Sequence, residues 1–393
     1  MKEKVVVIGA SSDAIHAITV AREMGLYVIA FDGNAEAEGL SYADEAVHFD
    51  ISNADELCKR VHDIDPVCIL PIPLGRQLSV VGKINEALNL PGMKSEAAEM
   101  STDKWLFHQS LYKAGLRQVQ CYLFHDTCRQ EKLTIPFPAI MKPRFGSGSR
   151  GVYIIKNSID LQTTLQQMGE LQEDYILEEL VFGDEYSLDG AVLSGQLEIT
   201  LIRKKTITPL PNRQPIASIA LSKIQYKDLY DQVYHVVRQA VNVLKYDDCL
   251  LNVDFIFNKG EVFLIEMAPR PSGHSIHSCF VPTCTGVDMI KEYIRYIMNG
   301  SCVMVTNDIK CQMIHFFDFN DVVADSVPEK EEIAESGKCH LLYWNCKIKN
   351  GDYLQNVTNG KSVMGRGFFI VQGEDEQDLL QQSEWILSQF TFK

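Results

Sequence analysis

The first 95 residues alternate short apolar runs with stretches of helical spacing. The apolar runs predict strands, and apolar residues recurring three and four positions apart predict helices. Strands are predicted at 5–8, 27–31, 45–49 and 67–72, and helices at 14–24, 54–64 and 78–88. Because strands with continuous apolar sequence are buried on both faces, this alternation indicates a parallel sheet covered by helices. We therefore predict an N-terminal parallel α/β domain over residues 1–95.

The pattern changes to an α+β type after Pro91-Gly92. Polar residues at 101–104 can cap a helix that ends at Gly115. Further strands are predicted at 137–142, 152–155, 175–180, 252–257, 262–267, 313–317, 341–344 and 368–372. Further helices are predicted at 104–114, 161–168, 229–244, 287–298 and 376–389. The signal is weakest after residue 300, so the C-terminal part is the least defined.

Length, charge and cysteine usage narrow the class of protein. A chain of 393 residues is too long for one core, so two or three domains are expected. The net charge of −15, without a run of five or more Lys or Arg residues, argues against nucleic-acid and membrane-surface partners. The 11 cysteines are scattered and lack the spacing of a metal site. Unpaired cysteines of this kind are typical of proteins in a reducing compartment. With no cleavable signal and no bilayer-spanning apolar stretch, we expect a cytoplasmic protein.

Two carboxylates interrupt otherwise apolar strands. Asp254 and Glu266 lie in neighbouring strands that a turn at 258–260 would join into a hairpin. A buried carboxylate needs a cation or strong donors, and Arg270 follows just beyond the second strand. This set suits a hard cation beside a developing anion. The alternative is that both carboxylates point to solvent at strand ends.

A lysine and a glycine-rich loop form the second candidate. Lys142 ends an apolar strand, and the loop behind it contains Ser147, Gly148 and Ser149. Backbone N–H groups of such a loop can cover phosphate oxygens, although the spacing is not that of a P-loop. The alternative is an ordinary Gly/Ser hairpin turn.

A third candidate is the acidic hinge at 178–185. Its backbone could meet the adenine edge, and Glu185 could meet ribose hydroxyls; a solvated acidic hinge is the alternative. Gly9 and Asp32 resemble a dinucleotide-binding fingerprint only faintly, because only one of the three glycines of that motif is present. A plain helix N-terminus facing a substrate anion is the preferred interpretation of that turn.

The order of these signals resembles the ATP-grasp superfamily, in which two α+β subdomains clasp ATP. The resemblance covers about residues 95–300, and the α/β unit before it is similar to the domain that precedes ATP-grasp modules. The implied fold is α/β and α+β: an N-terminal parallel domain (1–95), a small subdomain (96–180), a large subdomain (181–300) and a C-terminal subdomain (301–393). Residues 266–274 resemble the branch with L-amino acid ligases and the enzyme that carboxylates aminoimidazole ribonucleotide, and 365–367 resemble the extra subdomain of the amino acid ligases.

The resemblance implies a role for each candidate residue. The two lysines and the glycine-rich loop would bind the phosphates of ATP. The main chain of Glu178 and Val181 would hydrogen-bond adenine, and Glu185 would bind the ribose hydroxyls. Asp254 and Glu266 would hold one or two Mg²⁺ ions, with Mn²⁺ as an alternative, and Arg270 would stabilise the transferring phosphoryl group. Many members have Asn where this chain has Ala268, so the number of ions stays open. The phosphate-binding residues implied are Lys104, Lys142, Ser147, Gly148 and Ser149.

Two weaker candidates complete the set. His274 and His277 are candidates for an acceptor pocket, the alternative being hydrogen-bonded structural histidines. Residues 203–205 are basic, are predicted to follow a strand, and could add a phosphate contact.

The expected activity is that of an ATP- and Mg²⁺-dependent carboxylate–amine ligase. Its partners would be a small carboxylic acid and an amine, joined into an amide through an acyl phosphate. The alternatives are a carboxylase that activates bicarbonate and transfers it to an amine, and an inactive nucleotide-binding regulatory protein. The acid, the amine and the oligomeric state, including a homodimer, stay open.

Overall fold

The computed structural model describes residues 2–116, 119–124, 135–146, 151–171, 173–209, 213–358 and 360–393. Its N-terminal part is a parallel sheet in the order β3-β2-β1-β4, as predicted. The elements are β1 (Lys4–Ile8), α1 (Ile15–Glu23), β2 (Tyr27–Asp32), β3 (Glu45–His48), α2 (Ala54–Ile64), β4 (Cys68–Ile69) and α3 (Leu78–Ala87), with 3₁₀ turns at Ser12–Ala14 and Glu38–Tyr42. β4 is shorter than predicted, because Pro71 and Pro73 have no N–H to donate to a neighbouring strand.

A second sheet is antiparallel, in the order β5-β8-β6-β7. It comprises β5 (Cys121–Phe124), β6 (Ala139–Pro143), β7 (Tyr153–Ile155) and β8 (Tyr175–Glu179), with helices α4 (Ser95–Thr102), α5 (Lys104–Lys113) and α6 (Ser158–Met168). The sequence did not predict α4. Ser101 and Thr102 lie in its last turn, so Asp103 alone caps α5, accepting hydrogen bonds from the N–H groups of Trp105 and Leu106.

The largest sheet is antiparallel and runs β13-β12-β9-β10-β11-β14-β18-β16. Its last three strands come from the C-terminal region, so the sheet continues across the predicted boundary at residue 300. The strands are β9 (Asp184–Leu193), β10 (Gln196–Ile207), β11 (Pro215–Ala220), β12 (Cys249–Asn258), β13 (Glu261–Ala268), β14 (Gln312–Phe316), β16 (His340–Cys346) and β18 (Gly367–Gln372).

The remaining elements lie around this sheet. A small sheet in the order β17-β15-β19 comprises β15 (Val322–Ser326), β17 (Tyr353–Leu354) and β19 (Thr391–Phe392). The helices are α7 (Lys227–Leu244), α8 (Val281–Thr285), α9 (Met289–Asn299), α10 (Lys330–Glu335), α11 (Gly360–Met364) and α12 (Glu376–Ser388), with a π-helical turn at Ile276–Phe280. Within the described residues, no helix combines the length and apolarity needed to cross a membrane.

The two faces of the large sheet differ in polarity. Tyr186 and Leu188 of β9, and Val253 of β12, share a buried cluster with the apolar stripe of α7. Because successive strand residues point to opposite faces, the intervening residues of β9 and β12 face the other way. That second face carries Ser187 and Asp254, and the candidate site lies on it.

Candidate functional site

The hairpin β12–β13 holds the two metal-binding candidates. Its turn, Lys259-Gly260, has φ values of 50° and 82°, as a two-residue type I′ turn requires. The resulting register places Asp254 directly opposite Glu266. Directly opposed residues lie on the same face of a sheet, so the fold brings both carboxylates together within two strands rather than at strand ends.

Asp254 is held by two donors. The Lys205 ammonium lies 3.1 Å from Asp254 Oδ1, and the Ser187 hydroxyl donates to the same oxygen. Burial favours the neutral acid, but Lys205 and Ser187 outweigh it and lower the pKa of Asp254. The carboxylate is therefore ionised at neutral pH, and with 38% of the side chain exposed it stays accessible.

Glu266 has different surroundings. Within the described residues its carboxylate makes no hydrogen bond or ion pair, yet its charge acts on Lys104 and Lys142. No cluster of three or more His, Cys, Asp or Glu side chains that could hold a metal occurs in the described part of the chain. Mg²⁺ commonly binds one or two carboxylates together with substrate phosphates and water. Asp254 and Glu266 fit that pattern, whereas a cage made of protein ligands alone does not form here.

The phosphate-binding candidates meet at the end of β6. Lys142 Nζ lies 2.6 Å from Glu178 Oε1, and Lys104 Nζ donates to the carbonyl of Gly146 at 2.6 Å. Burial opposes the charge of Lys142, but Glu178 outweighs it and raises the pKa of the lysine. Burial lowers the pKa of Lys104, partly offset by Glu266. Ser147, Gly148 and Ser149 lie outside the described residues.

The hinge begins where β8 leaves its sheet. Glu178 lies in the central strand, paired with β5 and β6, and its side chain is 2% exposed. The N–H of Leu180 donates to the carbonyl of Pro138, and Val181 is the next residue along the chain towards β9. Glu185, at the start of β9, pairs with Arg213 and has Lys205 Nζ at 4.0 Å.

Arg270 and His274 occupy the segment after β13. The Arg270 guanidinium is partly exposed and donates to the carbonyl of Pro271 at 2.8 Å. His274 is exposed, and both His274 and Ser275 have φ near 61°, a region that non-glycine residues rarely adopt. Partial desolvation of the ring is the main effect and lowers the pKa of His274; Asp13 raises this pKa and Arg270 lowers it further. Arg270 and His274 are therefore electrostatic neighbours at one end of the hairpin.

His277 lies deeper than His274. It is fully buried, and its Nδ1 hydrogen-bonds the carbonyl of Ser272. Burial and the nearby His16 lower the pKa of His277 to about 4, so the ring is neutral. The structure therefore does not bring the two candidate histidines together on one open surface.

The turn after β1 contacts the same segment from the N-terminal domain. Asp13 Oδ1 accepts a hydrogen bond from the N–H of His274 at 3.1 Å. Asp32, considered above as part of a faint dinucleotide fingerprint, accepts hydrogen bonds from the N–H groups of Ala10 and Asn34. The carbonyl of Ala10 accepts from the N–H of Gly39, so the turn is covered by its own domain.

The structure changes the interpretation of the basic run 203–205. These residues lie inside β10 rather than after a strand, so they alternate between faces. Arg203 and Lys205 lie on the site face; Arg203 pairs with the buried Asp189 at 2.8 Å. Lys204 lies on the opposite face and pairs with Glu376 of α12 at 2.9 Å. The run contains no periodic apolar signal, which is why the sequence did not place it in a strand.

Comparison with known proteins identifies this fold. The ATP-grasp domain family matches residues 135–278. The chain is 24% identical over 290 residues to formate-dependent phosphoribosylglycinamide formyltransferase of Prochlorococcus marinus (strain NATL2A), covering 68% of this chain and 70% of that protein. It is 30% identical over 189 residues to the D-alanine–D-alanine ligase of Wolinella succinogenes, covering 46% and 54%. The L-amino acid ligase structure from Bacillus licheniformis superposes with a TM-score of 0.79 at 16% identity, covering 100% of this chain and 98% of that one.

The arrangement of a parallel N-terminal sheet followed by antiparallel sheets is the fold of the L-amino acid ligase structure. Residues 135–278 match the ATP-grasp domain family, and the resemblance predicted from the motifs of the chain is confirmed. The predicted fold class is confirmed as well: a parallel N-terminal domain precedes antiparallel sheets that match ATP-grasp ligase structures.

Proposed function

We propose that this protein is an ATP- and Mg²⁺-dependent carboxylate–amine ligase that works through an acyl phosphate. The observation that carries the proposal is the cross-strand pair Asp254 and Glu266, whose second member acts electrostatically on Lys104 and Lys142. Such a site offers charge neutralisation and positioning, which is what phosphoryl transfer to a carboxylate needs.

Each side chain has a role in the proposed reaction. Lys104 and Lys142 bind phosphate oxygens of ATP, and Asp254 with Glu266 would hold Mg²⁺, which neutralises charge on those phosphates. Glu185 and the main chain from Glu178 to Val181 position the nucleoside, and the loop residues 147–149 cover the phosphates. Arg270 lies just beyond β13, where its charge stabilises the phosphoryl group during transfer.

The bonds made and broken follow from this arrangement. An oxygen of the substrate carboxylate attacks the γ-phosphorus, the bond to the ADP oxygen breaks, and an acyl phosphate forms. The amine then attacks the acyl carbon, phosphate leaves with the bonding electrons, and the ammonium product loses a proton. ATP is required because a carboxylate alone has no leaving group. In this proposal His274, an electrostatic neighbour of Arg270, would contact the acceptor.

A second candidate, activation of bicarbonate, is supported by a structural likeness. The structure titled "Crystal Structure of ADP complex of purK: N5-carboxyaminoimidazole ribonucleotide synthetase" superposes with a TM-score of 0.73 at 16% identity, covering 98% of this chain and 96% of that one. If this candidate is correct, ADP release depends on bicarbonate rather than on an organic acid.

Binding and trapping experiments test the proposal. ATP with Mg²⁺ should raise the melting temperature, whereas NAD, NADP and FAD should not, because a ligand stabilises the fold it binds. Hydroxylamine added with ATP, Mg²⁺ and an acid that stimulates ADP release should give a hydroxamate. Stabilisation by NAD but not by ATP would contradict the assignment of the site as an ATP site. ADP release that never gives a hydroxamate, whichever active acid is used, would contradict acyl phosphate chemistry.

A further inference from the structure

A buried histidine contacts the carboxylate that holds the phosphate-binding lysine. His108 is 2% exposed, and its Nε2 lies 3.3 Å from Glu178 Oε2. The other carboxylate oxygen, Oε1, lies 2.6 Å from Lys142 Nζ. The three side chains therefore form a row, His108–Glu178–Lys142, with Glu178 in the middle and nearly inaccessible to water.

Packing alone does not account for a histidine at this position. Phe107, His108 and Leu111 form the buried face of α5, and an apolar residue would fill the place of His108 without burying polar nitrogens. Within the described residues, neither ring nitrogen has a hydrogen bond of good geometry, and Glu178 is the one ion-pair partner of His108. The contact with Glu178 is thus the feature that distinguishes this residue from a core leucine.

Helix geometry links this contact to the ATP site. Lys104 and His108 are four residues apart, so they lie on the same face of α5 in successive turns. The first turn is fixed to β6 by Asp103, whose carboxylate takes a bidentate pair from Arg144, with Nε at 2.9 Å and Nη2 at 2.6 Å. The second turn meets Glu178 through His108. Two turns of one helix therefore set the position of the strand segment that carries Lys142.

We propose that His108 is a positioning residue for nucleotide binding, acting through Glu178 to set the direction and availability of the Lys142 ammonium. This inference rests on the proposed function, in which Lys142 binds an ATP phosphate. With His108 on Oε2, Glu178 engages Lys142 through Oε1 alone, and the remaining ammonium protons face the nucleotide. Without His108, both carboxylate oxygens are free to engage Lys142, which then competes less well for a phosphate.

Calorimetric titration of the full-length protein with Mg²⁺-ADP tests this role. His108→Leu should weaken binding about tenfold, the scale of one lost polar contact with a charged group. His108→Gln should bind nearly as wild type, because its amide nitrogen reaches the place of Nε2, whereas His108→Asn is too short and should bind weakly. The matched control is His315→Leu, another buried histidine, which stacks on Phe369 in the C-terminal region and should leave binding unchanged.

A double-mutant cycle separates positioning from general destabilisation. In a Glu178→Gln background, His108→Leu should cost no further affinity, because the neutral amide no longer holds Lys142 as an ion pair. Equal losses in both backgrounds, or equal binding by the Gln and Asn variants, would overturn the inference. If His108→Leu does not fold, the Gln and Asn pair decides. Wild-type protein that binds no nucleotide contradicts the proposed function itself, whereas wild-type binding matched by His108→Leu contradicts this inference alone.

Discussion

Glu266 and Asp254 are chemically alike but differ in their partners. Asp254 already has an ammonium and a hydroxyl on one oxygen, whereas the Glu266 carboxylate makes no hydrogen bond within the described part of the chain. A carboxylate without a partner is the more available ligand for a dication. We therefore expect Glu266 to contribute more to the proposed metal binding than Asp254 does.

Glu266→Gln should abolish ADP release while leaving the melting temperature of the ligand-free protein nearly unchanged. The amide removes a charge that neutralises Mg²⁺ and is a weaker ligand for it. Asp254→Asn should lose less activity, and part of the loss should return at high Mg²⁺. Rates are measured across a Mg²⁺ titration; wild-type rates for Glu266→Gln at saturating Mg²⁺ would show that Glu266 is not a metal ligand.

Arg270→Ala should lower kcat by about 10²–10³-fold, as expected for loss of one preorganised charge-stabilising group. Nucleotide binding should change little, because in the proposed site Lys104 and Lys142, and not Arg270, bind the phosphates of the ground state. Arg270→Lys should recover little activity, since an ammonium lacks the planar fork that meets two oxygens. The measurements are steady-state ADP release and hydroxamate yield; equal yields from wild type and Arg270→Ala would remove Arg270 from the mechanism.

Glu178 should give a pH-dependent contribution to stability. Burial opposes its charge, but Lys142 and His108 outweigh it and lower the pKa of Glu178 to about 2. A lowered pKa means stability that is present above the unfolded-state pKa and is lost as pH falls towards the folded-state value. The contribution is on the order of 3 kcal/mol above about pH 5.

The measurement is the urea midpoint of wild type and Glu178→Gln between pH 6 and pH 3. The difference between the two proteins should be largest at pH 6 and shrink as pH falls. Glu384→Gln, an exposed position on α12, is the control and should differ from wild type by a small, constant amount. A difference for Glu178→Gln that does not vary with pH would contradict the ion-pair origin.

At the scale of elements, the link from β8 to β9 is constrained at one glycine. Gly183 has φ of 149°, and a Cβ there would lie 2.6 Å from the carbonyl oxygen of Phe257. Gly195, in the turn between β9 and β10, also has positive φ, at 72°, but a Cβ there would meet nothing within 4 Å. The two glycines share a backbone requirement and differ in the space around them.

Gly195→Ala should cost about 1 kcal/mol from backbone strain, and Gly183→Ala about twice that or more, because repulsion from β12 is added. Only Gly183→Ala should also weaken Mg²⁺-ADP binding, since it displaces the segment that leads into Glu185. Thermal melts and nucleotide titrations of both variants are the measurements. Equal losses of stability and unchanged nucleotide affinity in both variants would show that the close approach at Gly183 has no effect on the hinge.

Elements whose apolar residues recur with a clear helical or strand period were predictable from the sequence. Elements without such a period were not. The helix at 54–64 and the hairpin with Asp254 and Glu266 match the structure because periodicity and turn residues agree there. Helix α4 was missed because its polar C-terminal residues look like the cap of the next helix. His108 was missed as well, because a single histidine has no local pattern, and its partner Glu178 is 70 residues away.

At the scale of the whole molecule, the N-terminal domain is coupled to the segment that carries Arg270. Asp13 accepts from the N–H of His274, and His16 of α1 pairs with Asp288, the N-cap of α9, at 3.1 Å. The sequence predicted both units but could not predict that they meet here, because contacts between domains depend on tertiary arrangement. The N-terminal domain thus fixes one wall of the site.

Asp13→Ala should lower kcat about tenfold with little change in nucleotide affinity, because the segment bearing Arg270 loses one anchoring hydrogen bond. Asp13→Asn keeps an acceptor oxygen and should retain most activity. Asp63→Asn, an exposed substitution on α2, is the control. Steady-state kinetics with ATP varied decide the point: loss of nucleotide affinity with unchanged kcat would contradict a role through Arg270.

The eight-stranded sheet also determines which parts of this chain can exist separately. β11 pairs with β14, and β14 with β18, so residues after 300 complete a hydrogen-bonded ladder that begins beside the ATP site. A chain ending near residue 300 would expose the N–H and C=O groups of β11 as an open edge. Such edges pair readily with other strands, including those of a second copy. The C-terminal region therefore covers the edge of β11, and we expect a chain truncated near residue 300 to self-associate through that edge.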